Sequence, residues 1–332
     1  MNLLFSCIGK RGYIAELFRA HLAPGDRIIG TSNTEWTSGF HACDAAFLMP
    51  PISDPGYTDA VLDLCQRERI DGLLSFFDTD VHRLSKVVDA LKALGVKPFI
   101  PSAEAADICF DKVRTHDFLV ANGIPTARTF TSLASVHEAL SNGEVSFPLY
   151  VKPRSGFGSR NTFKAENAHQ MEVFFGLEPD MIVQGTLGGT AYDFDILNDL
   201  DGRVISVVPW RKSLSRMGET EQAITVEHPG LLALGERLAG LLGHAGPLDA
   251  DLFVDGDVAS VLEVNLRFGG GYPVSHFAGA DFPGKIVRMI HGEAVEPSMG
   301  DYQRDVVMMK ELHVMGGPQD RFFREQLKVQ GI

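Results

Sequence analysis

The first 100 residues alternate short apolar runs with amphipathic stretches, and this alternation limits the folds open to the chain. Helices are predicted from Gly12, over Asp59–Arg69 and over Val81–Leu94. The strands predicted between them are Leu3–Ile8, Arg27–Gly30, Asp44–Met49, Gly72–Phe77 and Lys97–Ile100. Strands that alternate with helices of this kind form a parallel sheet covered on both faces. We therefore expect a doubly wound α/β domain at the start of the chain.

The pattern changes near residue 110, which predicts a domain boundary there. A helix over Asp111–Asn122 is followed mainly by strands, with helices at Ala134–Leu140 and Leu231–Leu242. The strands are predicted at Phe147–Lys152, Met181–Gln184, Tyr192–Leu197, Val204–Val208, Leu248–Val254 and Ala259–Asn265.

Charge and cysteine content exclude several classes of function. The 332 residues carry a formal net charge of −13, which argues against a large nucleic-acid surface. Four cysteines lack metal-type spacing and indicate a reducing compartment. The first residues do not read as a signal peptide, and no apolar run approaches the roughly 20 residues that span a bilayer. We expect a cytoplasmic protein with neither nucleic-acid nor membrane partners.

A glycine-rich loop follows the predicted strand that carries Lys152. Its residues include Ser155, Gly156, Gly158, Ser159 and Arg160. Glycines let backbone N–H groups approach phosphate oxygens, and Lys152 would add a positive charge. The lysine precedes the glycines, so the segment is not a Walker A loop. The alternative is a simple hairpin turn with an exposed lysine.

The stretch LEVNLRFGGGY, residues 262–272, predicts a strand with a polar face. Glu263, Asn265 and Arg267 alternate with aliphatic residues, so they share one face. A hairpin through Gly256 and Asp257 would bring Asp251 beside them. Carboxylate and amide oxygens suit Mg²⁺, and Arg267 could meet a phosphate oxygen. The alternative is a solvated sheet face.

Two further segments carry charge near these motifs. Residues 207–222 include Arg211, Lys212, Arg216 and Glu219, and either bind an anion or form an ordinary charged surface. The turn SCIGKRGY at residues 6–13 lacks the full dinucleotide-binding glycine pattern. We interpret it as a short loop that connects strand and helix. The N-terminus of that helix could also bind a carboxylate.

Four segments, in this order, resemble the motifs of the ATP-grasp superfamily, and in particular its carboxylate–amine ligases similar to the carbamoyl phosphate synthase large subunit. They are FDKVRTHDFLVANGIPTART, PLYVKPRSGFGSRN, IVQGTLGGTAYDFDIL and LEVNLRFGGGYP. The resemblance implies ATP contacts at Lys112, Lys152, Ser155, Gly156, Gly158, Ser159, Gln184, Leu187 and Asp193. It also implies Mg²⁺, or Mn²⁺ in its place, at Asp251, Glu263 and Asn265. Catalytic roles are implied for Arg267, Lys152 and Arg216.

The sequence departs from the family pattern at several positions. Ala191 stands where relatives carry the glutamate that binds ribose, and Asp193 is expected to replace it. Leu266 replaces the proline of the family's Asn-Pro-Arg motif. Asp249 stands where many relatives carry an arginine, which favours a cationic or amine-bearing substrate group.

The resemblance further implies the fold and the reaction. The fold would be α/β, with an α+β C-terminal part. A Rossmann-like pre-ATP-grasp domain would span residues 1–108, a small ATP-grasp subdomain 109–182 and the metal-binding subdomain 183–332. The reaction would join a small carboxylate to an amine through an acyl phosphate, and a homodimer would be unsurprising. The alternatives are a phosphotransferase, a bicarbonate-dependent carboxylase or a non-catalytic nucleotide-binding protein.

Overall fold

The computed structural model describes residues 1–156, 158, 161–216 and 218–330. The strands are β1 Asn2–Ser6, β2 Arg27–Ser32, β3 Ala45–Leu48, β4 Gly72–Ser75, β5 Lys97–Pro98, β6 Thr129–Phe130, β7 Leu149–Pro153, β8 Phe163–Ala165, β9 Met181–Gly185, β10 Thr190–Asn198, β11 Val204–Arg216, β12 Glu219–Thr225, β13 Gly246–Asp255, β14 Val258–Asn265, β15 Val307–Met309 and β16 Val329–Gln330. They form three sheets.

The helices lie mainly between the strands. They are α1 Gly12–Arg19, α2 Tyr57–Glu68, α3 Asp78–Leu84, α4 Val88–Ala93, α5 Ala103–Phe110, α6 Lys112–Ala121, α7 Leu133–Ser141, α8 Ala168–Phe175, α9 Pro229–Leu242, α10 Pro273–Phe277, α11 Phe282–Ile290 and α12 Gln319–Arg321. Within the described part of the chain, none of them is long and apolar enough to cross a membrane.

The first sheet has the order β16-β3-β2-β1-β4-β5, and its strands are parallel. This confirms the doubly wound α/β domain. The helix predicted over Val81–Leu94 is wrong as a single element, because a 3₁₀ turn at Ser85–Val87 separates α3 from α4. Ser85 Oγ donates to the His82 carbonyl at 2.8 Å, and such a local bond competes with regular helix.

The second sheet is antiparallel, with the order β14-β13-β10-β11-β12-β15. One face buries Phe194, Ile196 and Leu252 with Leu231 and Leu238 of α9. The other face carries the polar side chains of the same strands. The hairpin predicted through Gly256 and Asp257 is confirmed, since β13 and β14 pair directly on either side of it.

The third sheet is smaller, with the order β6-β9-β7-β8. Helices α7 and α8 bury Val136 and Met171 against it. Its strands β7 and β9 carry Lys152 and Gln184. The sheet therefore presents two of the predicted ATP contacts from neighbouring strands.

No helix or strand was predicted at the sequence level for the segment after β14. It contains α10 and α11, adds β15 to the second sheet, and returns to add β16 beside β3 in the first. Phe323 and Leu327 are buried in the first domain's core, and Phe323 packs edge-on against Trp36 at 5.0 Å. Short strands without alternation leave no clear pattern in a sequence. The division at residues 108 and 182 stays a prediction.

Candidate active site

A cavity of about 530 Å³ lies between the third sheet and β14 of the second. Six predicted ATP contacts line it: Lys112, Lys152, Ser155, Gly156, Gln184 and Leu187. Tyr150, Phe253 and Leu262 supply apolar surface in the same cavity. The cavity therefore combines flat apolar walls with two lysines, which suits a nucleotide.

Burial gives Lys152 an unusual pKa. The side chain projects from β7 and the residue is 8% exposed. Burial, helped by the charge of Lys112 and opposed by that of Glu263, lowers its pKa from the ordinary value to about 8. An anion at this position would stabilise the charged form of Lys152.

Lys112 is held at the start of α6 by its neighbour. Asp111 caps α6 by accepting from the Val113 N–H at 2.9 Å. The same carboxylate accepts from Arg154 Nε at 2.8 and 2.9 Å, which ties the helix to the end of β7. Lys112 Nζ donates to the Gly156 carbonyl at 3.0 Å. Helix, strand and glycine-rich loop therefore meet at one point.

A second cavity, of about 470 Å³, adjoins the first. The loops after β1 and β4 supply Arg11 and Asp78, and the second sheet supplies the opposite wall. Leu262 and Glu263 line both cavities. Glu263 is thus a shared wall between the two spaces.

Acidic side chains of adjacent strands converge in the second cavity. Asp193 pairs with Asp251 across β10 and β13, and Asp251 pairs with Glu263 across β13 and β14. Carboxylate oxygens of Asp193, Asp249 and Asp251 lie within 4.8 Å of one another. This group includes only one residue of the predicted metal set, Asp251.

Lys212 supplies the positive charge at this cluster. Its Nζ donates to Asp251 and lies 3.1 Å from Asp193 Oδ2. Burial and the charge of Asp249 raise the pKa of Asp193, and Lys212 opposes that shift. Asp193 is 3% exposed, and its Oδ1 has no hydrogen-bond partner among the described residues. Lys212, beside Asp193 and Asp251, and Arg267, beside Asp249, are cations that face this acidic cluster.

The predicted metal ligands fit a hard divalent cation by their chemistry. Asp251 and Glu263 face each other in paired strands, and Asn265 follows two residues along β14 on the same face. Asn265 Nδ2 donates to Asp249 Oδ2 at 3.0 Å, which orients the amide. The contact of Lys212 with Asp251 indicates that this carboxylate attracts a cation. Two carboxylates and an amide oxygen are a donor set for Mg²⁺.

Arg267 connects the first domain to the second sheet. Its Nε lies 3.0 Å from Asp78, and its Nη1 lies 3.6 Å from Asp249 Oδ2. Burial alone would lower the pKa of Arg267, but Asp78 and Asp249 raise it above its ordinary value. The guanidinium lines the second cavity at the end of β14.

Several other predicted site residues do not line the first cavity. Asp193 lines the second cavity, where it meets Lys212, so the structure does not bring it to the other predicted ATP contacts. Gly158 also lines the second cavity, and Ser159 lies outside the described residues. Arg216 is exposed, pairs with Glu221 at 3.5 Å, and lines neither cavity in the described part of the chain.

Sequence reasoning did not identify the ion-pair partners of several charged residues of the second cavity. Lys212 stood in the basic segment, but nothing in the sequence linked it to Asp193. Asp78 follows a predicted strand, but its partner Arg267 is far away in the chain. Glu219 lies in the same basic segment as Lys212, and its partner Arg11 is also distant in sequence. Only tertiary packing brings such pairs together.

Comparisons with known proteins agree with this arrangement. Residues 3–99 match the N-terminal domain of PylC-like proteins. Residues 177–313 match the family described as ATP-grasp in the biosynthetic pathway with Ter operon. The first match covers β1 to β5 of the first sheet, the second covers the whole second sheet, and together they include most of the residues that line the second cavity.

Curated relatives are ligases and synthases much longer than this chain. Phosphoribosylamine–glycine ligase of Escherichia coli is 30% identical over 156 residues, which is 46% of this chain and 35% of that protein. The carbamoyl phosphate synthase large chain of Agathobacter rectalis is 24% identical over 82% of this chain and 26% of its own length. The chain thus spans about a third or less of these relatives.

Solved structures share the fold at low identity. The biotin carboxylase domain of Hydrogenobacter thermophilus 2-oxoglutarate carboxylase has a TM-score of 0.71 and 17% identity, covering 92% of this chain and 73% of that one. L-Amino acid ligase from Bacillus licheniformis has a TM-score of 0.64 and 20% identity, covering 89% and 77%. The expected ATP-grasp fold with a Rossmann-like first domain is confirmed.

Proposed function

The chain belongs to the ATP-grasp superfamily, and on this premise we propose that it is an ATP-dependent ligase that joins a carboxylate to an amine. The observation that carries the proposal is the pair of adjoining cavities with Glu263 in their shared wall. One cavity suits a nucleotide, and the other is large enough for a small acid. The names of the curated relatives include phosphoribosylamine–glycine ligase, which is consistent with this chemistry.

In the proposal, the first cavity binds ATP. Tyr150, Leu187 and Phe253 provide apolar surface for the base, and Lys112 and Lys152 neutralise phosphate oxygens. Both lysines lie near the glycine-rich loop, whose Gly156 carbonyl accepts from Lys112. Removing one preorganised charged contact of this kind typically costs roughly 3–4 kcal/mol of barrier.

Asp251, Glu263 and Asn265 would hold Mg²⁺, which when bound neutralises phosphate charge during transfer. The chain itself must then rearrange. Lys212 would lose its contact with Asp251 and keep the one with Asp193. The cation and the lysine therefore compete for one carboxylate, and Lys212 offsets part of the cluster's negative charge before the cation arrives.

The second cavity would hold the acid. A carboxylate oxygen of the acid attacks the γ-phosphorus of ATP, the bond to the ADP oxygen breaks, and an acyl phosphate forms. Arg267 lies in this cavity and would stabilise the transferred phosphoryl group. The amine nitrogen then attacks the carbonyl carbon, phosphate leaves, and the nitrogen loses a proton.

Water must be excluded while the acyl phosphate exists. The glycine-rich loop after β7 approaches the turn between β11 and β12. A Cβ on Gly218 would come within 3.3 Å of the Gly158 backbone. Glycine at position 218 lets this turn lie close to Gly158, because a Cβ there would force the neighbouring backbone to shift, and both glycines line the second cavity.

The test is ADP release from Mg-ATP in the presence of pooled small carboxylic acids and amino acids, with hydroxylamine as a general amine. Acid-dependent ADP together with a hydroxamate is the expected result. Acid-dependent ADP without a hydroxamate would instead indicate a phosphotransferase or carboxylase. Nucleotide binding without turnover on any acid in the pools would contradict the proposed ligase. The matched control is Glu263→Gln, which removes one charge from the shared wall.

A further inference from the structure

Lys10 and Arg11 line the second cavity, and the buried Nζ of Lys310 lies beside its lining residue Gly270; the proposed ligase chemistry uses none of these three cations. We call Lys10, Arg11 and Lys310 the cationic cluster. Lys10 Nζ lies 3.1 Å and Arg11 Nη2 lies 3.7 Å from Glu219 Oε1, and Lys310 Nζ lies 4.0 Å from Glu219 Oε2. Three cations thus share a single carboxylate, in a protein whose net charge is −13.

Lys310 is the least satisfied member of the cluster. Its Nζ is buried and has no hydrogen-bond partner among the described residues, although its charge faces Glu219. Its stem lies over the ring of Tyr13, with Nζ 5.3 Å from the ring centre. Burial, helped by the charge of Arg11 and opposed by that of Glu219, lowers the pKa of Lys310 to about 8. A buried ammonium without a hydrogen bond is costly, so an anion beside it would stabilise it.

Arg11 is fixed in place by its neighbours. Its Nη1 donates to Tyr13 Oη at 3.0 Å, and Tyr13 Oη donates to the Gly270 carbonyl at 3.3 Å. A Cβ on Gly270 would come within 2.9 Å of Arg11 Nη1 and 3.5 Å of Lys310 Nζ. Glycine at this position therefore lets both cations lie directly against the cavity lining. Arg11 and Gly270 line the second cavity, as does Lys10.

The cluster lies close to the site of the proposed reaction but does not overlap it. A Cβ on Gly269 would collide with Asp249, the partner of Arg267, whereas the next residue, Gly270, faces Arg11 and Lys310. Consecutive Cα atoms are about 3.8 Å apart. The cationic cluster and the Arg267–Asp249 pair therefore lie beside neighbouring residues of the same cavity lining.

We propose that the cationic cluster binds a second anionic group of the acid substrate, so that this cavity selects short dicarboxylic or phosphorylated acids over simple monocarboxylates. The inference rests on the proposed ligase function, because it names the acid that the ligase takes. The carboxylate that reacts lies near Arg267 and Glu263, and the second anion lies against Arg11 and Lys310. Glu219 holds the cations together before the substrate binds.

The experiment compares matched acids in the hydroxamate assay. Each dicarboxylic acid of increasing chain length is paired with its monoamide, and each phosphorylated hydroxy acid with its unphosphorylated form. We expect kcat/KM to be about 10- to 100-fold higher for the dianionic member, as for hydrogen bonds to charged groups. The class of acid with the larger ratio of kcat/KM between its dianionic and monoanionic members, dicarboxylic or phosphorylated, identifies the second anionic group that the cluster binds.

Two variants test whether the cationic cluster causes the preference for dianionic acids. Lys310→Met keeps the apolar stem against Tyr13 and is expected to abolish the preference, with less than about threefold change for monoanionic acids. Lys310→Arg is expected to restore most of it. The control is Lys164→Met, an exposed lysine that pairs with Glu166 on β8. Circular dichroism and thermal unfolding confirm that each variant folds.

The outcomes separate this inference from the proposed function. Hydroxamate formation with equal rates for both members of every pair, unchanged in Lys310→Met, would leave the ligase intact and overturn the second anion site. If no acid gives a hydroxamate, calorimetric titration with the same acids and with inorganic phosphate decides. Binding of dianions that is lost in Lys310→Met would support the anion site without the ligase, and absence of such binding would overturn both.

Discussion

The two cavities differ in how they are built. The first takes most of its lining from β7, β9 and the loop between them, and it carries few charges. The second draws on the loop after β1, the loop after β4, the β11–β12 hairpin and the end of β14, and it is lined by charges of both signs. Local motifs build the first cavity, whereas tertiary packing builds the second. In the proposed function, the first cavity binds ATP, the substrate that ligases of this kind share. The second cavity binds the acid, the substrate in which they differ.

The largest effect is expected at the wall that both cavities share. Glu263→Gln keeps the shape of the side chain but removes a negative charge that faces Lys152. It also replaces the carboxylate of a proposed metal ligand by an amide. We expect ADP release to fall roughly 10³-fold, near the upper end for loss of a preorganised electrostatic contact. Steady-state assays at saturating ATP measure it. Activity within tenfold of the native protein would mean that Glu263 lies between the two cavities but contributes little to the reaction in either.

Lys212→Met tests whether the second cavity depends on internal charge pairing. Asp193 would lose its only described ion-pair partner while remaining buried. We expect the free energy of unfolding to fall by about 3 kcal/mol at neutral pH, because breaking a buried pair leaves an unpaired charge. Urea unfolding followed by circular dichroism measures it.

The loss should grow with pH. In the folded variant, the raised pKa of Asp193 keeps its carboxyl protonated at pH values where the unfolded chain has already lost that proton. The free energy of unfolding therefore falls as pH rises from about 4, the unfolded pKa, toward the raised native pKa. The double variant Lys212→Met, Asp193→Asn should recover most of the stability. A loss that does not depend on pH would point to packing instead of charge.

In the first cavity, the pKa of Lys152 predicts a change in nucleotide binding with pH. Because the native pKa is about 8, the charged form is lost as pH rises through that value, and ATP binding weakens above it. The expected loss is up to about tenfold for each pH unit. Lys152→Arg stays charged and should flatten the profile. Nucleotide dissociation constants measured on both proteins over the same pH range decide between them.

The smallest effect is expected at Arg216, to which the sequence assigned a catalytic role. Its side chain is 70% exposed and pairs only with Glu221 at 3.5 Å among described contacts. We expect Arg216→Ala to change kcat/KM by less than about twofold, since exposed pairs contribute little. A loss of tenfold or more, with normal stability, would show that the β11–β12 hairpin moves this residue into the second cavity.

The same contrast explains how far sequence reasoning reached. Lys112, Lys152 and Gln184 were assigned to one nucleotide site because each stands in a short motif whose backbone is local, and they line one cavity. Asp193 was assigned to that site from its alternation with Ala191 alone. Alternation predicts the face of a strand but not which cavity covers each part of that face.

The charged groups of the second cavity could not have been paired in advance. Arg267 meets Asp78, Lys212 meets Asp193, and Lys310 meets Glu219 only because separate segments pack together. The triple glycine after β14 gave the clearest indication. Side chains on Gly269 and Gly271 would strike Asp249 and Trp210, so these glycines mark where the backbone lies directly against neighbouring side chains.

The pairing of β16 with β3 has a consequence for the order in which the protein folds. These strands are separated by nearly the whole chain, so this edge of the first sheet is completed only after translation reaches residue 330. Until then β3 presents unpaired N–H and C=O groups, and a nascent or truncated first domain exposes an edge that another copy can extend. The first sheet to begin is thus also the last to be completed, which makes its formation slow and sensitive to protein concentration.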